Sequence, residues 1–341
     1  MGGAFVGLAD DATAAATNPA GLTTLLYPEV SFEYKTVEYT WPFAADGKES
    51  SDRVGTPSFA SVVIPAGNLR FAAFRHEIVH VKQTATWTAS DALYTYAGEL
   101  SDRVKVENYG AAVAIAAVPQ LSLGLAAGGS RYSENGTWRF TADGTPQTGK
   151  ISGEAPLRPF ASAGLLIRPS EKVQLGVAYH FRGTFRGDYD DGFLDGDPAA
   201  EDFEIRVPDS FGAGFAVRPL ERLVLSVSGV LQRYSELDAD DADDWNFDDA
   251  LDVSAGGEYV LLLGNIPLAL RAGAQRLASS SEYYDGSDTQ FQYITKQDPE
   301  LAIDLGAGIV LGGRFQLDLA GMASSVKSEG VLSIVYRLGR R

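Results

Sequence analysis

The chain of 341 residues has no cysteine, three histidines and two methionines. Without cysteine there is no disulfide framework, no thiolate metal site and no cysteine nucleophile. Cations are scarce as well: 28 Lys and Arg against 45 Asp and Glu leave a formal charge of -17. Phosphate recognition needs clustered Lys and Arg, so nucleic acid is excluded as a partner. No run approaches the roughly 20 apolar residues that a membrane helix needs, which excludes a helical membrane protein but not a membrane β-barrel. A Gly-x-Ser-x-Gly elbow, a glycine-rich phosphate loop and a His-rich metal spacing are all missing, so neither catalysis nor a cofactor or metal is expected. His180 with Ser226 or Ser228 is the one conceivable Ser-His pairing, and it reads better as polar lining. Met1 to Val6 hold no basic segment followed by an apolar stretch, so no signal peptide is visible in this sequence.

What is present is alternation, which places successive side chains on opposite faces of a strand. Val173, Leu175, Val177, Tyr179 and Phe181 share one face, while Gln174, Gly176, Ala178, His180 and Arg182 share the other. Leu301, Ile303, Leu305, Ala307, Ile309 and Leu311 oppose Asp304, Gly306 and Gly308 in the same way, and Phe315, Leu317 and Leu319 oppose Gln316 and Asp318. A soluble all-β sandwich also alternates, but with shorter strands and its apolar face inward. Most segments here reach roughly ten residues, the length that a tilted strand needs to cross a bilayer.

The connections alternate too. Short ones fall at Ala66-Gly67-Asn68, Pro119-Gln120, Pro169 to Lys172, Pro219 to Glu221, Gly264 to Pro267 and Gly312-Gly313. Long polar ones are expected over 43–55, 86–104, 135–156, 187–203, 237–249 and 281–299. Short periplasmic turns and long external loops are the asymmetry of outer-membrane barrels. The reading is all-β: a transmembrane, antiparallel, up-and-down barrel of about fourteen strands, an even number that returns both chain ends to the periplasm. Residues 28–341 would form the barrel, and residues 1–27, which do not alternate, a plug inside its lumen.

Asp10 to Leu22 reads as a short helix ended by a turn, because the Asn18-Pro19 step disfavours helix. Gly2-Gly3-Ala4-Phe5-Val6-Gly7-Leu8-Ala9-Asp10-Asp11-Ala12-Thr13, followed by Asn18-Pro19-Ala20-Gly21-Leu22, resembles the N-terminal hatch of the FadL/TodX family. Val207-Pro208-Asp209-Ser210-Phe211 running on to Arg218-Pro219 resembles that family's Pro-x-Ser strand ending in Arg-Pro, and Thr56-Pro57-Ser58 is a weaker match. The resemblance implies an outer-membrane barrel that passes long-chain fatty acids or aromatic hydrocarbons, with Asn18, Pro19, Ala20 and Gly21 in its hatch. The chain departs from the pattern in its modest length and in ending Leu338-Gly339-Arg340-Arg341 rather than on an aromatic residue. Related barrels with an Asn-Pro-Ala start act in protein export or surface attachment, so that role stays open.

Alternation fails in the third strand. Leu69 and Phe71 share one parity, while Phe74 and Ile78 share the other with Arg75 and Glu77 between them. A β-bulge near Ala72 and Ala73 would return Phe74 to the lipid face and turn Arg75 inward. The family resemblance implies that a kink here, at Ala72, Ala73 and Phe74, makes a lateral gate; a bulge with Arg75 simply above the bilayer is the plainer alternative. Phe5, Val6 and Leu8 are candidates to line an apolar pocket, with Arg75 or Arg182 for a carboxylate head group. Trp87, Leu93, Tyr94 and Tyr96 form either an outer capture surface or part of the interfacial girdle. The aspartates between Asp188 and Asp197 and between Asp238 and Asp249 read as solvated outer loops that divalent cations could bridge to lipopolysaccharide, not as a calcium site. The expected partners are a hydrophobic ligand and outer-membrane lipid, the expected state a monomer, and the expected location the bacterial outer membrane.

Overall fold

The computed structural model describes residues 1–42, 49–90, 95–142, 145–190, 201–237, 245–278, 283–284, 296 and 298–339. A closed antiparallel barrel of fourteen staves encloses the N-terminal segment. The first five staves are unbroken: β1 Glu29–Pro42, β2 Glu49–Ala66, β3 Leu69–Ser90, β4 Thr95–Val118 and β5 Leu121–Ala142. Each of the next three is in two pieces: β6 Thr145–Glu154 with β7 Arg158–Ser170, β8 Val173–Phe181 with β9 Thr184–Asp190, and β10 Glu201–Arg206 with β11 Ser210–Leu220. The last six are β12 Leu223–Gln232, β14 Ala250–Leu263, β15 Ile266–Leu277, β17 Glu300–Leu311, β18 Phe315–Ala323 and β19 Lys327–Arg337. The two-residue strands β13 Trp245–Asn246 and β16 Tyr283–Tyr284 pair only with each other. Closure is made by β1 on β19, in register from Glu29↔Arg337 to Tyr39↔Lys327. Closure removes the free sheet edges that a bilayer, offering no water, could not satisfy, although the β2–β3 ladder covers only Phe59–Ala66 of β2.

The alternating faces fall as the sequence pattern implies. Leu175, Leu305 and Leu317 point outward and are 41%, 65% and 37% exposed, and they belong to a belt with Phe32, Ile64, Phe71, Phe215, Leu225 and Leu301. Apolar exposure on this scale belongs against lipid rather than water. Tight turns close the end that carries both chain ends; Gly67 and Gly264 take positive φ there, which glycine adopts without strain.

The outer half differs from the expected loops. β3, β4 and β5 span 22, 24 and 22 residues and carry most of 86–104 and 135–142 as paired strand. These extensions lack the long apolar-polar alternation of the lower wall, with buried side chains such as Ala85, Tyr132 and Trp138 at scattered positions, while the hairpin ladder continues regardless.

Candidate functional site

The N-terminal segment lies within the barrel as the helix α1, Ala14–Thr17, followed by a 3-10 turn over Pro19–Thr24. Asn18, Pro19, Ala20 and Gly21, picked out from sequence, are all buried. The wall makes room by omitting side chains. A Cβ on Gly124 would collide with the Ala20 nitrogen, on Gly164 with Asn18 Oδ1, on Gly176 with the Val6 carbonyl and on Gly214 with the Gly7 nitrogen; on Gly256 and Gly273 it would reach Met1 and Gly2. The plug backbone therefore lies directly against the wall from β5 to β15. Polar contacts set its height: Asn18 Nδ2 donates to Val6 O at 2.9 Å and to Leu165 O at 3.3 Å, Gln174 Nε2 donates to Leu8 O at 2.5 Å, and Thr23 Oγ1 donates to Ser122 Oγ at 2.8 Å. Arg70 Nε holds Leu25 O at 2.5 Å. Sequence reading missed the glycine ring, although its signal was available as glycines at inward parity on successive strands.

Phe5 packs on the main buried cluster with Leu22, Phe74 and Phe160, Val6 sits against Gly176 and Gly212, and Leu8 packs on Ala216 and Val224 beside an opening at the end that carries the tight turns. A small lumen pocket of mixed apolar and polar lining is found, and it is not beside these three residues. It lies above α1, between Ala16, Phe74, Ile78, Phe160 and Phe181, with Arg182, His76, His180 and Asn108 at its polar edge. Its free volume is only about 30 Å³, so a ligand must move side chains or the plug to enter. Arg182 is thus a pocket residue; its guanidinium donates to Pro208 O at 3.5 Å. His180 pairs with Ser162 across the wall at 2.8 Å, not with Ser226 or Ser228. Farther out, Val106, Tyr132 and Phe185 form a second apolar cluster with Ile78, Phe203 and Ile205. Ile78 belongs to both, so apolar surface runs from the outer extension down to the plug.

The third strand differs from the expectation. Its register is continuous through Ala72, Ala73 and Phe74 against both neighbours, and the shift falls between Glu77 and Val79, leaving Ile78 as the extra residue. Phe74 faces the lumen and meets Phe160 edge to face, the ring centroids being 6.2 Å apart; Ala72 is buried and Ala73 is exposed. An inward aromatic is satisfied here because the lumen contains a plug, so no bulge is needed to turn it outward. Beyond Phe59↔His76 the β2–β3 ladder ends. Arg75 bridges that seam by donating to the Pro57 carbonyl and to Glu107, Thr56 Oγ1 donates to Glu77 Oε2 at 2.9 Å, and Lys82 reaches Asp52 at 2.9 Å. Lys105 adds a contact to Glu107 at 2.8 Å. Arg75 is therefore tied into a polar latch and lies outside the lumen pocket.

Trp87 and Tyr96 fall in the paired β3–β4 extension, opposite Gly98 and Ala89. Leu93 and Tyr94 lie outside the described residues, as do Asp191 to Asp197 and Asp238 to Asp244 of the acidic segments.

No family model matches the chain, and no curated protein matches it. Solved structures do. A Pseudomonas aeruginosa FadL homologue superposes with a TM-score of 0.73 at 14% identity, covering 98% of this chain and 96% of that one. The Ralstonia pickettii toluene transporter TbuX gives 0.68 at 14% identity, covering 96% and 94%. The Pseudomonas putida toluene transporter TodX gives 0.62 at 14% identity, covering 97% and 95%. What they share with this chain from end to end is architecture: it has the FadL/TodX fold, a fourteen-stave barrel around its own N-terminal segment.

Proposed function

We propose that the protein is a passive transporter of hydrophobic small molecules in a bacterial outer membrane, with residues 1–27 as a movable hatch. The observation that carries this reading is the pocket above α1, with Phe74, Ile78, Phe160 and Phe181 on one side and Arg182 and two histidines on the other, in line with the apolar cluster of the outer extension and closed below by the plug. A general porin would need an open polar channel, which a seated plug opposes. A ligand enters from the outer cluster, displaces Phe74 and Phe160 in the pocket, and passes on when the hatch or the wall yields. Arg182 at the pocket edge fits a carboxylate head group, whose charge-assisted hydrogen bonds favour a planar guanidinium. The cargo class is accordingly a long-chain carboxylate, with neutral hydrocarbons bound through the apolar part alone.

Mass spectrometry of small molecules that co-purify with the detergent-extracted barrel tests the reading. A lipid-like carboxylate is expected in wild type and depleted in Arg182→Gln. A barrel that carries none, and that binds neither a C16 fatty acid nor toluene, refutes it and favours a role in protein export or surface attachment.

A further inference from the structure

Two staves end on the same pair of residues at the end that carries the tight turns, in Ile167-Arg168-Pro169 of β7 and Val217-Arg218-Pro219 of β11. Each arginine closes a cross-turn hydrogen bond, Arg168 N donating to Gln120 O at 2.7 Å and Arg218 N to Lys172 O at 2.8 Å. The proline that follows has no N–H, and the register shifts there in both staves. Arg168 follows buried Leu166 at inward parity and Arg218 follows buried Ala216, so both side chains turn into the lumen at one height. Only β8 separates the two staves, which sets their backbones roughly 10 Å apart, a span that two long guanidinium side chains close easily.

Both arginines border a cavity of about 300 Å³ between the wall and the plug residues Leu8 and Asp10. Donors there outnumber their acceptors. Arg168 Nε donates to Gln174 Oε1 at 3.2 Å, but Arg168 Nη2 is buried with no hydrogen-bond partner among the described residues. Arg218 Nη2 meets Asp10 Oδ2 only at 3.5 Å, beyond the roughly 2.7–2.9 Å of a charge-assisted hydrogen bond. Lys172 lines the cavity as a third cation, against which stand two carboxylates, Asp10 and Glu171. Arg168 also lies within electrostatic range of Arg218. A buried donor without an acceptor and like charges held close are both unfavourable, and one anion between the two guanidiniums relieves both.

We infer that this cavity is an oxyanion site, in which a phosphate group is held between the Arg168 and Arg218 guanidiniums. Each guanidinium presents a planar fork of N–H groups, and a tetrahedral oxyanion has enough oxygens to meet two forks at once, where a single carboxylate fills one. Gln174 orients Arg168 while donating to Leu8 O, and Asp10 shares Arg218, so the anion binds where the wall holds the plug. The cavity shares no lining residue with the pocket above α1, and the inference goes beyond the transport reading without depending on it. Calorimetric titration of inorganic phosphate into the detergent-extracted full chain at low ionic strength tests it. A single phosphate is expected to bind, at least about tenfold more weakly in Arg168→Gln and in Arg218→Gln, each of which removes charge-assisted hydrogen bonds. Arg314→Gln, at the same end of the barrel but outside the cavity, is expected to bind phosphate as wild type does. Dihexanoyl phosphatidate is the second probe: arginine-dependent binding of it, without binding of inorganic phosphate, supports the site with a lipid head group as the source of the anion. Binding of neither probe to the wild type, or binding that Arg314→Gln weakens as much as Arg168→Gln does, overturns the site.

Discussion

The lumen wall has two halves that meet the interior with different chemistry. From β5 to β15 it presents glycine, serine and alanine, and the hatch backbone lies on it. From β14 round to β1 it also presents charges that pair between neighbouring or next-neighbouring staves, so the two halves overlap at β14 and β15. Arg271 joins Glu258 at 2.7 Å and Asp318 at 2.6 Å, Gln275 holds Asp304 at 3.1 Å, and Arg337 reaches Glu29 at 3.4 Å and Gln316 at 2.6 Å. The first half achieves fit by removing side chains and the second by cross-linking them. The N-terminal segment thus rests on a surface shaped for close approach, while ion pairs join the staves on the opposite side.

Crowding the smooth half should have the largest effect. Gly164→Leu drives a side chain into Asn18 and Pro19; the hatch cannot seat, and liposome permeability to a small hydrophilic solute is expected to rise at least about tenfold. Gly306→Ala, whose new methyl would meet Leu319 and Ala320 rather than the hatch, should leave permeability at the wild-type level. Breaking the charged half is expected to cost less. Arg271→Met leaves Glu258 and Asp318 facing one another partly buried, a loss of about 3 kcal/mol in urea unfolding from liposomes. Asn18→Ala removes two hydrogen bonds that fix the plug, which should weaken its docking by about 1–2 kcal/mol and raise amide exchange over residues 14–24 without unfolding the barrel.

The smallest effect is that of pH. Enclosure, reinforced by the neighbouring Asp11 charge, pushes Asp10 up to about 7, against the partial offset of Arg218. The carboxyl is thus easier to keep neutral when the hatch is docked than when it is released, where the ordinary value of 3.8 applies. Docking is favoured below that ordinary value, and the advantage is lost as pH rises towards 7. The side chain is 40% accessible, which screens the effect. Hatch protection factors, which remove the intrinsic pH dependence of amide exchange, are expected to be modestly lower at pH 8 than at pH 5, and Asp10→Asn should flatten the difference.

The membrane half of the fold was legible because lipid imposes a strict two-residue period: Leu175, Leu305 and Leu317 could be assigned to the outside from their spacing alone. The hatch was legible from Asn18 to Gly21, where a helix must stop and small residues follow. Legibility failed where that constraint lapses. In the outer extensions the apolar-polar period breaks down, so Trp87 and Tyr96 looked like loop residues although their backbones are paired. At Phe74 the assumption that a large apolar residue faces lipid misplaced the bulge, since the plug offers an apolar partner inside. Arg75 was misread with it. Arg182 could be placed because Val173 to Phe181 alternates without a break up to it.

The most direct test of the central claim is the rate at which a labelled C16 fatty acid crosses into liposomes carrying the wild-type barrel. The account requires a saturable rate well above protein-free liposomes and a reduced apparent affinity in Arg182→Gln. A rate equal to that of empty liposomes, from protein shown to be folded, would contradict it.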